Sequence, residues 1–179
     1  MNTLPDLSPG KIVLLAAPRA SLKTLIQEVV VRLVASGPVR MVIGNNQFDG
    51  YTFARMLRRQ SREMAALLER IRLARAFTCY QMSALLRETP SAPIPTLVVG
   101  LLVTFYDENV PEYESMRVLR GCVWELHRLG RSAPLIVSVE PLPQREALFN
   151  TIRDAADTTL MPTPEGGGAP AQLSLWDEP

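Results

Sequence analysis

The sequence predicts an α/β fold in which a mostly parallel central sheet is covered by helices on both faces, three layers in all. Three observations predict it. Short runs such as IVLLA from position 12 and LIVSV from position 135 are nearly all apolar. A strand needs that content when neither of its faces meets water. The stretches between these runs return an apolar residue every three or four positions, the period of an amphipathic helix. The two patterns alternate over residues 11–161 without an internal repeat, as successive strand–helix–strand units do.

The elements follow in order. Residues 1–10 read as an extended lead-in broken by Pro5, Pro9 and Gly10. A strand is expected over 11–17 and a helix over 21–36, capped by Ser21, with Leu25, Val29 and Leu33 on one face. Gly37 and Pro38 end that helix, and 39–43 form the second strand. After the loop Gly44, Asn45, Asn46, Gln47, Asp49 caps an arginine-rich helix over 50–59, and Ser61 restarts a helix to Glu69. The third strand is 71–76, and Thr78 caps a helix that runs to Arg87. Residues 88–95 hold three prolines and form a loop. The run TLVVGLLVT, 96–104, is expected as the most buried strand, interrupted by Gly100. An acidic loop over 105–114 leads to a long helix over 113–129, which Gly130 stops. Met116, Leu119, Val123 and Leu126 share one face of it, and Trp124 is expected in core or interface. A strand over 135–139, a helix over 144–155 and a short strand over 158–161 complete the fold.

The chain has 179 residues, 47% hydrophobic and 21% charged, enough for one domain over 1–161 and a tail over 162–179. A net charge of +1 gives no overall pull toward nucleic acid or membrane. Cys79 and Cys122 lie far apart in apolar contexts, which fits buried thiols in a reducing cytoplasm. With His127 they are too few and too scattered for a zinc site. The first residues have neither the basic nor the apolar segment of a signal peptide. The longest apolar run, 96–106, falls short of the roughly 18–20 residues of a membrane span. The expected location is the cytoplasm.

Residues 11–24, KIVLLAAPRASLKT, carry the chemistry. Strand, short loop, Lys-Thr and helix come in the order of a phosphate-binding P-loop, G-x-x-x-x-G-K-[ST]. Lys23 and Thr24 match, while Ala17 and Leu22 stand in place of the two glycines. Lys23 suits β/γ-phosphate charge, Thr24 suits a magnesium ion, and Arg19 and Ser21 lie in the same loop. The missing glycines remove the bare backbone that must approach phosphate. This is a degenerate P-loop of weakened or lost nucleotide affinity. The competing reading is a plain strand–turn–helix with Lys23 solvated.

Residues 69–86, ERIRLARAFTCYQMSALL, resemble the strand and helix of RecA/RadA-like recombinase ATPases. The degenerate P-loop, the IGNNQF loop and the LVVGLLVTFYDEN run fall in that family's order. The resemblance implies a three-layer RecA-like P-loop NTPase fold. It also implies an acid at the end of the TLVV strand, where this chain has Gly100. A catalytic glutamate belongs after the second strand, where the chain offers Asn45, Asn46 and Gln47. With no carboxylate to activate water or support a metal, hydrolysis is not expected. Asp107 and Glu108 lie beyond the strand end, in an acidic loop that repels phosphate. Arg55, Arg58, Arg59 and Arg62, with Arg70, Arg72 and Arg75, form a basic concentration. It suits nucleic acid, an acidic partner, or simply a solvated helix face. His127 near a helix end and Cys79 read mainly as structural, while Tyr80 and Gln81 at the ligand-bearing sheet edge are placed to line a cleft.

The tail runs through TPEGGGAPA to QLSLW and ends DEP. A Gly/Pro tether bearing a short apolar motif is the design of a docking peptide. QLSLW is similar to the bacterial sliding-clamp-binding pentapeptide, which implies contacts through Gln172, Leu173, Leu175 and Trp176. The alternative is a tail folded back to bury Trp176. Two functions are therefore expected in competition. One is a non-catalytic RecA-like accessory protein of bacterial DNA repair or recombination. It would assemble with itself or a recombinase-like paralogue and dock the clamp. The other is an ATPase or ATP-gated switch using ATP and Mg2+ at Lys23 and Thr24.

Overall fold

The computed structural model describes residues 7–60 and 62–161. Six strands form one sheet: β1 Ile12–Ala16, β2 Val39–Gly44, β3 Ile71–Ala76, β4 Thr96–Val99, β5 Leu135–Val139 and β6 Thr158–Leu160. The helices are α1 Arg19–Ser36, α2 Gly50–Gln60, α3 Arg62–Ala66, α4 Cys79–Glu88, α5 Glu112–Gly130 and α6 Glu146–Ala155. The strand order is β3-β2-β4-β5-β1-β6. Every pairing is parallel, in the register Ile12 to Leu135, Val13 to Thr158, Val39 to Ile71 and Arg40 to Thr96. Alternate residues of β1 serve opposite faces. Ile12, Leu14 and Ala16 pack with α4, α5 and α6, while Val13 and Leu15 pack with α1 and α2. The molecule is thus a three-layer α/β fold with an all-parallel sheet, the architecture of a RecA-like core. Among the described residues no helix is long and apolar enough to cross a membrane.

Several expected boundaries shift, each for a local reason. β4 stops at Val99 because Gly100 turns left-handed at φ 66°, and a 3-10 helix covers Leu101–Phe105. The expected strand over 96–104 is therefore a strand of four residues and a buried 3-10 turn. The stretch expected as one helix to Glu69 is α3 followed by a 3-10 helix over Leu67–Arg70. Gly130 lies within α5 rather than after it, and Arg131 is the cap. The arginines of β3 find their reason in topology: β3 is an edge strand, so Arg72 and Leu73 are exposed. Trp124 is not in the core; it is 64% exposed on α5.

The capping expectations for Asp49 and Thr78 hold. Asp49 accepts from the Thr52 N–H at 2.9 Å, and Thr78 Oγ1 accepts from the Gln81 N–H at 3.1 Å. The Gln81 side chain returns the contact by accepting from the Phe77 N–H at 2.8 Å. The proline loop before β4 is fastened from two sides, and Arg40 of β2 donates to the Pro90 and Pro95 carbonyls. Arg128 of α5 donates to the Glu125 carboxylate and the carbonyls of Leu86 and Thr89, and to Ser91 Oγ.

Candidate functional site

A parallel sheet gathers its loops at the carboxyl ends of the strands. Here the β1–α1, β2–α2, β4 and β5 loops meet there. The β1–α1 connection is only Ala17 and Pro18, because α1 begins at Arg19. Pro18 is extended at ψ 147° and gives no side-chain cap, and the N–H groups of Ser21 and Leu22 both donate to its carbonyl. Ser21 is therefore a first-turn residue and not the cap. The phosphate-sized loop expected over 17–23 has been absorbed into helix. Lys23 and Thr24 lie in its second turn, where backbone N–H groups are taken by intrahelical bonds. Leu22, at the second glycine position, is buried in the core against β1 and β2.

The start of α1 already holds an anion. The Arg19 N–H donates to Glu140 Oε1 at 3.1 Å, across 121 positions of sequence. A carboxylate there satisfies an orphan donor and faces the positive end of the helix dipole. Glu140 is itself held from behind, since Tyr106 donates its phenol hydrogen to the Glu140 carbonyl at 2.6 Å. Burial pushes the Tyr106 hydroxyl up to about 12, so it stays a donor across the neutral range. The Arg19 guanidinium reaches the other way and donates to the Asn46 carbonyl at 3.0 Å. Arg75 fixes the same loop by donating to the Asn45 carbonyl at 2.8 Å.

Gly100 stands at the end of β4, where the resemblance implies an acid. Its N–H donates to Ser138 Oγ at 3.0 Å. A Cβ on Gly100 would run into the Gln47 side chain, and one on Gly44 would run into the Gly100 carbonyl. The two glycines let the β2 and β4 ends close against each other. An acid at Gly100 would face both a left-handed backbone and a filled space.

Between these loops lies an outer cleft of about 490 Å³, lined by Arg19, Lys23, Gln27, Asn46, Gln47 and Asp49 among others. A smaller cavity of about 100 Å³ adjoins it and reaches Gly100, Tyr106, Ser138 and Glu140. Of the four residues expected to hold phosphate, Arg19 and Lys23 line both spaces; Ser21 and Thr24 line neither. The cleft sets charges of both signs, Arg19 and Lys23 with Asp49, on a largely apolar wall that includes Ala20, Ile26 and Phe48. The Thr52 hydroxyl and N–H hold the Asp49 carboxyl below its usual range, with the Lys23 charge a smaller influence.

The remaining candidates separate clearly. Asp107 turns back to cap its own loop, accepting from the Asn109 N–H at 2.9 Å, and Glu108 is exposed. Neither lines the cleft. Among the described residues no cluster of three or more His, Cys, Asp or Glu could hold a metal. Cys79 and Cys122 are buried, and desolvation raises both thiols, Cys122 to about 12. Tyr80 donates to Glu114 at 3.3 Å. Of the basic concentration, Arg70 bonds the Val34 carbonyl and Arg75 the Asn45 carbonyl, while Arg55, Arg58, Arg59 and Arg62 are exposed. Gln172, Leu173, Leu175 and Trp176 lie outside the described residues. Glu140 is the residue that sequence reasoning missed. Its only signal was position, directly after β5 at the ligand-bearing edge.

No protein-family model matches the chain, and no curated protein is significantly similar to it.

Proposed function

We propose that this chain is a non-catalytic RecA-like accessory protein of bacterial DNA repair or recombination, acting in the cytoplasm. It assembles through its core with a copy of itself or a recombinase-like paralogue. Its tail docks the replication sliding clamp. The observation that carries the first half is the carboxylate of Glu140 at the start of α1. A RecA-like core that hydrolyses ATP needs that position for phosphate and needs an acid where Gly100 stands. The three-layer parallel fold supports the core assignment, and the motif QLSLW supports the docking half on sequence alone.

Clamp binding is tested by titrating the full chain against a purified bacterial sliding clamp. Wild type should bind, and Trp176→Ala should weaken binding at least tenfold, as loss of an aromatic anchor does. Equal binding by both proteins, or by neither, would remove the docking half of the reading.

A second reading rests on the 490 Å³ cleft beside Lys23, which is large enough for a nucleotide. In that reading the chain is an ATP-gated switch or an ATPase, and the Arg19 and Lys23 side chains meet the phosphates once Glu140 withdraws.

A further inference from the structure

The exposed face of α5 carries a regular seam. Tyr113, Arg117, Arg120, Trp124, His127 and Arg131 follow one another at steps of four and three residues, and all six are exposed. Steps of that kind keep one line of side chains facing a neighbour along a helix pair. Two features of the seam stand out among the described residues. Trp124 is 64% exposed and Tyr113 76% exposed, although both are large aromatics. Gly121, beside Trp124, sits mid-helix, where glycine is the poorest residue short of proline. A Cβ there would meet nothing within 4 Å among the described residues, so none of them requires glycine at this position.

We propose that α5 is a self-association surface on which a second copy of this chain docks, antiparallel and related by a twofold axis near the middle of the helix. The pairing is self-complementary. With the axis at that point, Arg120 meets Trp124 of the second copy and Tyr113 meets its Arg131, each contact occurring twice. An arginine over an aromatic face is a cation–π pair. Arg131 of each copy also falls beside Glu112 of the other, which supplies opposite charge at both ends. Arg117 is neutralised within its own chain by Glu114 at 2.6 Å, so it does not oppose the approach. The notch left by Gly121 lies beside Arg117, Arg120 and Trp124, the four positions that would receive the incoming indole as a knob in a hole. Trp and Arg at the centre of the patch are also residue types that anchor interfaces.

This deepens the assembly half of the proposed function and does not involve the tail. One helix pair is a small interface, so dissociation on the order of tens of micromolar is expected. Sedimentation velocity of the full chain should show a monomer–dimer equilibrium across about 1–200 µM. Trp124→Ala should weaken it at least tenfold. Gly121→Gln is the decisive variant. It should raise the unfolding temperature of the dilute monomer by about 2–4 °C, because it replaces a helical glycine in open space. It should also abolish the dimer by filling the notch. Wild type that stays monomeric over the whole range overturns the proposal, whether or not the same face binds an unlike protein or nucleic acid. So does a dimer that survives Gly121→Gln. Clamp binding, read separately through Trp176→Ala, stands or falls without it.

Discussion

At the start of α1 the Arg19 N–H donates to the Glu140 carboxylate, placing a negative charge at the positive end of the helix dipole. Glu140→Ala should lower stability by about 0.5–1 kcal/mol, the usual worth of such a contact. It should also uncover the anion site, so that pyrophosphate raises the melting temperature of the variant more than that of wild type. Equal shifts would show that the carboxylate blocks nothing. Gly100 makes a second residue-scale prediction. With φ at 66° and Gln47 against it, Gly100→Ala should cost about 1–3 kcal/mol in chemical denaturation. Tyr106 gives a pH signature. Its hydroxyl is pushed up to about 12, whereas in the unfolded chain it titrates near ~10. The folded form keeps a proton that the unfolded form loses. The contribution is therefore complete below about pH 10 and declines as pH rises toward about 12. The stability gap between wild type and Tyr106→Phe should shrink between denaturation at about pH 8 and at about pH 11.

On the scale of elements, Arg128 shows how a loop of three prolines is made definite. Its guanidinium holds the carbonyls of Leu86 and Thr89 together with the Glu125 carboxylate, which is only 8% exposed. Arg128→Ala would leave that carboxylate without its cation and should cost about 2–4 kcal/mol by urea denaturation. A loss under about 0.5 kcal/mol would mean the network is solvated and weak. Most elements were legible in the sequence, because strand content and helical period are local properties. β3 and β5 begin and end where their apolar runs and breakers place them. Boundaries failed where a single residue's backbone decided the outcome. Gly100 ended β4 in the middle of an apolar run. Pro18 started α1 two residues before the serine that looked like its cap.

For the molecule as a whole, the order β3-β2-β4-β5-β1-β6 sets β5 between β1 and β4, and so brings Glu140 to the start of α1. That contact joins residues 121 apart, and no pattern within a sequence window reports it. The degenerate loop was legible as missing glycines, but its fate as two further residues of helix was not. The same topology leaves β3 on an edge, where Arg72 and Leu73 are exposed. The central proposal is that this three-layer α/β core does not respond to nucleotide. It is tested by the unfolding temperature of the full chain with and without Mg-ATP, in wild type and in Lys23→Ala. A ligand at about 100 times its dissociation constant adds ~2.7 kcal/mol, a shift of a few degrees at this size. The account predicts no shift in either protein. A magnesium-dependent shift in wild type that Lys23→Ala removes would contradict it and make the cleft beside Lys23 a working nucleotide site.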